Sequence, residues 1–499
     1  MMSSVIILGI YLVLMVAIGI FSFRKTKTVS DFVLGGRNIG SWLTAFAYGT
    51  TYFSAVVFIG YSGQFGWAYG VSTVWIGIGN AFLGSMLAWI VLGRRTRTMT
   101  KHLDSSTMPD FFEKRYSSNA LKIVASVIIF VFLVPYTASV YKGLGNLFAL
   151  AFHIDINVCL IIMAVITGFY VVAGGYLATA ISDFVQGIIM LAGIILVVVC
   201  VLNGQGGFTE AINKMSEIPA ADGTKGIFTS LFGPDPLGLL GVVILTSLGT
   251  WGLPQMIHKF YTIKDDKAIK KGTVISTIFA LIISGGSYFM GAFGRLYVEA
   301  GADGKPVNGF DMIVPDMLKG TLPDILMGVV VVLVFSASMS TLSSLVMTSS
   351  TTLTLDFIKS IFVKNMSHKV QMLVIRSLCA FFVILSVVIA INPNNLITAL
   401  MSLSWGALAG AFLAPFLYGL FWKGVTKAAV WASFATGIGV TLSNYIISLI
   451  NHTPKGFAAP PTAGAIAMIA SLIVVPLVSI LTKKLDNKVV ENAFSCYNK

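Results

Sequence analysis

The sequence predicts an all-α polytopic membrane protein with about 13 transmembrane helices. Its 499 residues are 56% hydrophobic and only 11% charged, whereas a soluble globular protein has roughly 25% charged residues. Apolar stretches of about 20 residues, the length that crosses a bilayer, recur along the whole chain. They leave no room for a separate soluble domain, so we expect residues 1–499 to form a single transmembrane domain.

Charge and motif content exclude several other classes of protein. The formal net charge is +13, but the basic residues form short clusters between spans, as the positive-inside rule predicts. We therefore expect the lipid bilayer, and no nucleic acid, as a partner. The four cysteines have neither redox nor metal-ligand spacing, which indicates free thiols and no cofactor. The absence of a P-loop, an HExxH motif and a nucleophile with a nearby base argues against an enzyme or an ATP-driven pump.

The first half of the chain is predicted to hold six spans. The first span, 5–23, precedes a basic flank (Arg24, Lys25 and Lys27), which places the N-terminus outside the cell. The next spans are 42–61, 71–93, 121–152, 158–174 and 183–202, and a short interfacial helix is predicted at 108–116. Gly49 lies inside the second span, and we expect that helix to be broken near it, with the broken segment at 50–54.

The second half is predicted to hold seven spans and a cytoplasmic tail at 483–499. Span 237–258 should be broken at Gly249, Gly252 and Pro254, and it is followed by 272–297, 324–357, 370–391, 396–421, 428–450 and 463–481. In each half a broken span precedes four intact ones, which predicts two five-helix repeats, 41–203 and 236–421. The second repeat would be inverted because five is odd. Helix 5–23 and two helices at 428–482 would lie outside the repeats.

The broken spans and one hydroxyl-rich span indicate a binding site. Non-helical backbone at membrane depth is tolerated only where it lines a cavity or is buried in protein, and ion-coupled carriers use this device at the bilayer midplane. Ser336, Ser340, Ser343 and Ser344 follow the spacing i, i+4, i+7 and i+8, so they share one helical face. Hydroxyls and freed carbonyls suit a small hard cation, although small hydroxylated residues also let membrane helices pack closely.

Further polar and aromatic side chains are candidates for a second cation and for a solute. Asp183 opens the sixth span, where a carboxylate either has a function, here a second cation shared with Ser343 and Ser344, or caps the helix. An aromatic face with a few polar groups suits a small polar solute, although tryptophan also packs at membrane interfaces. The solute candidates are Tyr52, Ser54, Tyr136, Trp251, Gln255 and Trp405.

Five stretches together resemble the sodium:solute symporter family, especially its sodium/proline and sodium/pantothenate branch. They are DFVLGGRNIGSWLTAFAYGTTYFSA (31–55), GGYLATAISDFVQG (174–187), GLPQMIHKFYTIKDDKAIKKG (252–272), SASMSTLSSLVMTSS (336–350) and NPNNLITALMSLSWGALAGAF (392–412). The chain departs from the proline carriers at Tyr52, where they have an acidic residue. The run GAFGRLYV (291–298) is more similar to the pantothenate carriers.

The resemblance implies a leucine-transporter-type fold with sodium-driven alternating access. The first sodium site that it implies consists of the carbonyls of Thr50, Phe53 and Ala337 and the hydroxyls of Ser340 and Thr341. The second implied sodium site consists of Asp183, Ser340, Ser343 and Ser344.

We therefore expect a sodium-coupled symporter in the plasma (cell inner) membrane that imports a small organic solute bearing a carboxylate. An amino acid such as proline, pantothenate, a monocarboxylate and a sugar acid all remain open. The alternatives are a proton-coupled carrier, for which Asp183 is the only obvious relay group, and an uncoupled channel or sensor on the same scaffold. Sodium is the only ion expected at the site, and the sequence does not indicate an oligomeric state.

Overall fold

The computed structural model describes residues 2–23, 29–220, 222–392, 396–451 and 459–497. In these ranges all regular structure is helical, apart from two isolated β-bridges, Ile39–Ile263 and Ala300–Pro306. The basic flank of the first predicted span (24–28) and residues 393–395 of the last motif lie outside the described residues.

Short helices alternate with long apolar ones in the first half. The α-helices described there are Met2–Phe23 (α1), Val29–Leu34 (α2), Ser41–Tyr52 (α3), Ser62–Tyr69 (α4), Val74–Gly79 (α5), Arg94–His102 (α6), Met108–Tyr116 (α7), Asn119–Phe152 (α8), Ile156–Gly204 (α9) and Phe208–Glu217 (α10). The π-helical segments Val56–Tyr61, Asn80–Leu87 and Trp89–Gly93 and the 3-10 segments Gly35–Arg37, Gly70–Thr73 and Ile227–Thr229 join them.

The second half is built in the same way. Its described α-helices are Pro236–Leu248 (α11), Pro254–Thr262 (α12), Asp266–Ala292 (α13), Ile313–Thr321 (α14), Asp324–Thr352 (α15), Lys359–Ile361 (α16), His368–Ala390 (α17), Ile397–Phe421 (α18), Lys427–Asn451 (α19), Pro460–Leu481 (α20) and Asn487–Phe494 (α21). The π-helical segment Leu353–Ile358 and the 3-10 segments Gly249–Trp251, Gly294–Leu296, Phe310–Met312 and Ser495–Tyr497 complete it.

The predicted all-α polytopic class is confirmed. In the described ranges nine helices are long and apolar enough to cross a membrane, and the bent pair Pro236–Trp251 and Pro254–Thr262 makes a tenth span. Val5–Ile18 and Ile156–Gly168 are shorter apolar helices. The predicted number of about 13 is therefore approximate. One reason is that Val56–His102 forms one nearly continuous helical run, although Gly70, with φ +62°, separates the two predicted spans inside it.

Helix α9 covers two predicted spans without a described loop between them. Its 49 residues would extend about 73 Å if straight, more than twice the apolar thickness of a bilayer. Thr167 Oγ1 donates to Met339 Sδ at 3.4 Å, and a Cβ on Gly193 would overlap the Leu333 side chain. Residues 167 and 193 would be about 39 Å apart on a straight helix, but Leu333 and Met339 are only about 9 Å apart. The two halves of α9 therefore lie against the same part of α15, as two separate spans.

The first helix break lies at Phe53, within the predicted broken segment 50–54 and four residues beyond Gly49. Gly49 is inside α3, where a Cβ would overlap the ring of Phe279. Glycine is thus required there by helix packing. The helix ends at Tyr52, and Phe53 is extended (φ −108°, ψ 100°). The amide of Val57 donates to the Ser54 carbonyl at 3.0 Å, and so it leaves the Phe53 carbonyl without its helical partner.

The second break lies where the sequence predicts it. Helix α11 ends in the 3-10 turn Gly249–Trp251, and α12 begins at Pro254 after a bend of 40°. Proline has no backbone N–H, so it is tolerated in the first turn of a helix but disrupts a helix interior. A Cβ on Gly252 would lie 2.8 Å from Ala409 Cα. The break therefore packs closely against the backbone of α18.

The second arm of the first broken helix, α4, crosses α13 at backbone distance. A Cβ on Gly66 in α4 would overlap the Gly291 carbonyl, and a Cβ on Gly291 would overlap the Ser62 carbonyl. Small residues allow such close approach between membrane helices. Helix α15 packs against α3, α8 and α9, so its hydroxyl stripe is enclosed by protein.

Gly437→Ala is expected to lower the melting temperature of the purified protein by several degrees. A Cβ on Gly437 would overlap the Ala411 backbone nitrogen, and would force α18 and α19 apart. Overpacking of this kind typically costs about 1–3 kcal/mol. Gly439 lies on the same helix with open space at its Cβ position. Gly439→Ala is the matched control, and equal melting temperatures for the two variants in a fluorescence-detected unfolding experiment would contradict the prediction.

Candidate cation and solute site

The hydroxyl stripe of α15 is buried. Ser336, Ser340 and Thr341 are at most 1% exposed, and Ser343 is equally buried. The stripe faces the first broken helix, since α15 packs against α3. If these hydroxyls served only to let the helices pack closely, no carbonyl without a helical hydrogen bond would be needed opposite them. Here the stripe lies against the carbonyl groups at the end of α3.

Four of the five residues of the implied first sodium site come together at this contact. Ser340 Oγ lies 3.0 Å from the Thr50 carbonyl and 3.1 Å from the Ala337 carbonyl. Thr341 Oγ1 lies 3.2 Å from the Thr50 carbonyl and 3.1 Å from the Ala337 carbonyl. Phe53, the fifth implied ligand, is the extended residue that directly follows α3. These oxygens are the ligand type that a hard cation prefers.

Thr51 is a member of this contact that the sequence analysis missed. Its carbonyl is 3.3 Å from Thr341 Oγ1, and its hydroxyl is 2.9 Å from Ser344 Oγ. It joins the first implied sodium site to the second. Its position beside Thr50 in the pair Thr50-Thr51 was the available signal, since both carbonyls belong to the last turn of a helix that ends at Tyr52.

Two residues of the implied second sodium site, Asp183 and Ser344, lie against a lysine. Asp183 is fully buried inside α9, so it does not cap a helix, and neither of its carboxylate oxygens has a hydrogen-bond partner among the described residues. Lys259 Nζ is 3.9 Å from Asp183 Oδ2 and donates to Ser344 Oγ at 3.1 Å. The Ser343 hydroxyl instead donates to the Ser340 carbonyl at 2.9 Å.

Lys259 directly follows the predicted span 237–258 and begins a basic run that ends at Lys271, which the positive-inside rule places in the cytoplasm. In the structure it is on α12, directly after the second break, and its side chain is only 2% exposed. A usable signal was its spacing of four residues from Gln255, which puts both side chains on one face of the helix.

Three of the solute candidates form an aromatic cluster beside the first break. The Trp405 ring centroid is 6.0 Å from that of Tyr52 and 5.9 Å from that of Tyr136. Both the Tyr136 hydroxyl and Trp405 Nε1 are buried without a hydrogen-bond partner in the described residues. The Tyr52 hydroxyl donates to the Thr246 carbonyl. Buried polar groups are normally paired, so the two unpaired donors indicate a place for a polar ligand.

The other three candidates have different surroundings. Gln255 lines a pocket of about 30 Å³ together with Lys259 and Ser344, and neither its amide oxygen nor its amide nitrogen has a partner within the described part of the chain. Trp251 Nε1 donates to the Leu83 carbonyl at 3.0 Å, so this tryptophan is anchored to the neighbouring span. Ser54 Oγ accepts from the Val56 amide at 3.2 Å, within the broken segment itself.

Comparison with known proteins places this arrangement in a family. The sequence model of the sodium:solute symporter family matches residues 32–437. The osmoregulated proline transporter OpuE of Bacillus subtilis (strain 168) is 30% identical over 483 residues, which cover 96% of this chain and 95% of that protein. A sodium/proline symporter of Staphylococcus aureus (strain JH9) is 31% identical over 511 residues, which cover 97% and 93%.

Two solved structures share the fold. A Na⁺-coupled sialic acid symporter in a substrate-bound outward-open state matches with a TM-score of 0.74 at 17% identity, covering 97% of this chain and 99% of that one. Mhp1, a nucleobase-cation-symport-1 family transporter in a closed conformation, matches with a TM-score of 0.50 at 15% identity, covering 93% and 97%. At these identities the likeness shows the fold alone, and the predicted leucine-transporter-type fold is confirmed. The chain therefore belongs to the sodium:solute symporter family, as a multi-pass membrane symporter and not an enzyme.

Proposed function

We propose that this symporter imports a small carboxylate-bearing organic solute together with sodium, by alternating access between two inverted repeats at 41–203 and 236–421. The observation that carries the proposal is the contact between the Ser340 and Thr341 hydroxyls and the carbonyls at the end of α3. In the proposed topology the N-terminus is outside the cell and the tail at 483–499 is cytoplasmic.

Sodium binds in this proposal to the carbonyls of Thr50, Phe53 and Ala337 and the hydroxyls of Ser340 and Thr341. Each hydroxyl can offer a lone pair to the ion and direct its proton elsewhere. The ion ties α15 to the first broken helix, and it stabilises the arrangement that binds solute. Sodium and solute then raise each other's affinity by the same factor, because binding free energies are reciprocally linked.

The solute binds between the two breaks, against the aromatic rings of Tyr52, Tyr136 and Trp405. Trp405 Nε1 and the Tyr136 hydroxyl are buried donors without partners, and the Gln255 amide is also unpaired. Donors of this kind suit a carboxylate, which accepts hydrogen bonds only. The α12 helix begins at Pro254 beside the site, and a half-helix N-terminus favours an anionic solute group. The relatives named as proline transporters support an amino acid as the first solute to test.

The proposal is tested by thermal unfolding of the purified protein against a solute panel in sodium or potassium buffer. The panel comprises proline, other amino acids, pantothenate, monocarboxylates and sugar acids. We expect one class to raise the melting temperature, and to do so more strongly in sodium, since a ligand that binds only the folded state stabilises it in proportion to its occupancy. Equal stabilisation in both buffers, together with uptake driven by a pH gradient alone, would favour a proton-coupled carrier instead.

A further inference from the structure

The second implied sodium site holds a positive charge that belongs to the protein. Asp183 is buried in α9, and the side chains of Asp183 and Lys259 are 1% and 2% exposed. Their closest charged atoms are 3.9 Å apart, and the Asp183 oxygens have no hydrogen bond in the described residues. A carboxylate at this depth needs a positive partner, because burying an unpaired charge is costly. The Lys259 ammonium is the cation that the structure places there.

Lys259 also contacts the remaining polar groups at this position. Its Nζ donates to Ser344 Oγ at 3.1 Å, and it lies 5.4 Å from the ring centroid of Tyr176. Ser344 in turn is 2.9 Å from the Thr51 hydroxyl. The ammonium therefore has a carboxylate, a hydroxyl and an aromatic face around it, which are the partners that a desolvated ammonium uses.

We propose that Lys259 is a built-in counter-ion at the second cation position, so that this symporter binds one sodium ion and not two. The proposal rests on the proposed function, since it assumes that sodium binds at the first site. A sodium ion that bound Asp183 and Ser344 would lie within a few ångströms of Nζ. Repulsion between two cations is strong where water is excluded, so the lysine and a second sodium ion exclude each other.

The position of Lys259 in the chain gives this lysine a role in coupling. It lies on α12, the helix that follows the second break, whereas Asp183 is on α9 and Ser344 on α15. The ammonium thus links the second broken helix to α9 through charge and to the hydroxyl-rich helix α15 through a hydrogen bond. A sodium ion at the same place would link only α9 and α15. Because Lys259 lines the same pocket as Gln255 and Ser344, removing its charge leaves an accessible place for an ion.

Equilibrium binding of radioactive sodium to the purified full-length protein, at mildly alkaline pH, tests this proposal. We expect about one ion per chain for the wild type and about two for Lys259→Met, in which Asp183 recruits a second sodium. The double variant K259M/D183N should return to one ion. Lys259→Arg, which keeps the charge, and Lys264→Met, whose side chain is 48% exposed beside Asp265, should both remain at one.

Two results would overturn the proposal. The first is two ions per chain in the wild type, which requires no variant to fold. The second is one ion in a K259M protein that unfolds as cooperatively as K264M. A wild type that binds no sodium would contradict the proposed function instead. In that case the role of Lys259 would still be supported if K259M bound one sodium ion per chain, and it would be overturned if K259M also bound none.

Discussion

The double variant Ser340→Ala/Thr341→Val is expected to raise the sodium concentration for half-maximal transport at least about tenfold. Both hydroxyls lie within 3.2 Å of the Thr50 carbonyl, and in our proposal both are ligands of the ion. Losing one interaction with a charged group costs about 1.5–3 kcal/mol, and each 1.4 kcal/mol changes an equilibrium constant about tenfold. Ser340→Ala alone leaves the Thr341 hydroxyl on the ion and should raise this concentration less, from severalfold to about tenfold. The measurement is solute uptake into proteoliposomes across a sodium titration.

Ser338→Ala is the matched control for this experiment. Ser338 is on the same helix and equally buried, but its hydroxyl donates at 2.7 Å to the Val334 carbonyl of its own helix. Its removal should leave the sodium dependence unchanged. If the control and the double variant shift the sodium dependence equally, the effect is one of helix packing, and our assignment of the first sodium site is wrong.

Gln255→Leu is expected to weaken solute binding at least about tenfold while leaving the melting temperature equal or higher. The Gln255 amide is 1% exposed and unpaired, and an unsatisfied buried polar group costs about 1–3 kcal/mol. Leucine removes that cost and also removes the groups proposed to bind the solute. Solute titrations monitored by intrinsic fluorescence, together with unfolding curves without solute, measure the two effects separately.

Gln371→Leu provides the opposite signature. Gln371 is also a buried glutamine, but its amide nitrogen donates to the Met366 carbonyl at 2.7 Å. The variant should lose stability because the carbonyl is left unpaired, and solute affinity should not change. A Q255L protein that lost stability but bound solute normally would show that Gln255 supports the fold and not the solute.

The sequence predicts the second helix break and the hydroxyl stripe because both depend on local chemistry. Pro254 removes a backbone donor wherever it occurs, and the spacing of Ser336 and Ser340 defines a helical face in any context. The exact position of the first break has no such signal. Phe53 and Ser54 are unremarkable in helices, and the conspicuous Gly49 serves the packing of Phe279. That break depends on tertiary contacts which a single sequence does not display.

Site assignments that depend on the partner of a side chain were the hardest to predict. Trp251 is a residue type that suits a solute contact, but its indole N–H donates a hydrogen bond to the Leu83 carbonyl. Lys259 begins a basic run, so the positive-inside rule places it in the cytoplasm. Only the packing of α12 against α15 brings it to Ser344. The pattern of charges along the chain predicts on which side of the membrane a loop lies. The direction in which a single side chain points can be read only from coordinates.

The close contact between α4 and α13 at Gly66 and Gly291 limits which helices can move relative to each other. Main-chain atoms of α4 and α13 meet there with no side chain between them, and closely packed interiors resist deformation. The contact of Gly49 with α13 is made by the ring of Phe279, which can rotate as α3 moves. Helices α4 and α13 are therefore expected to travel as one body, with the pivot at residues 53–54, where the Phe53 carbonyl lacks its helical hydrogen bond.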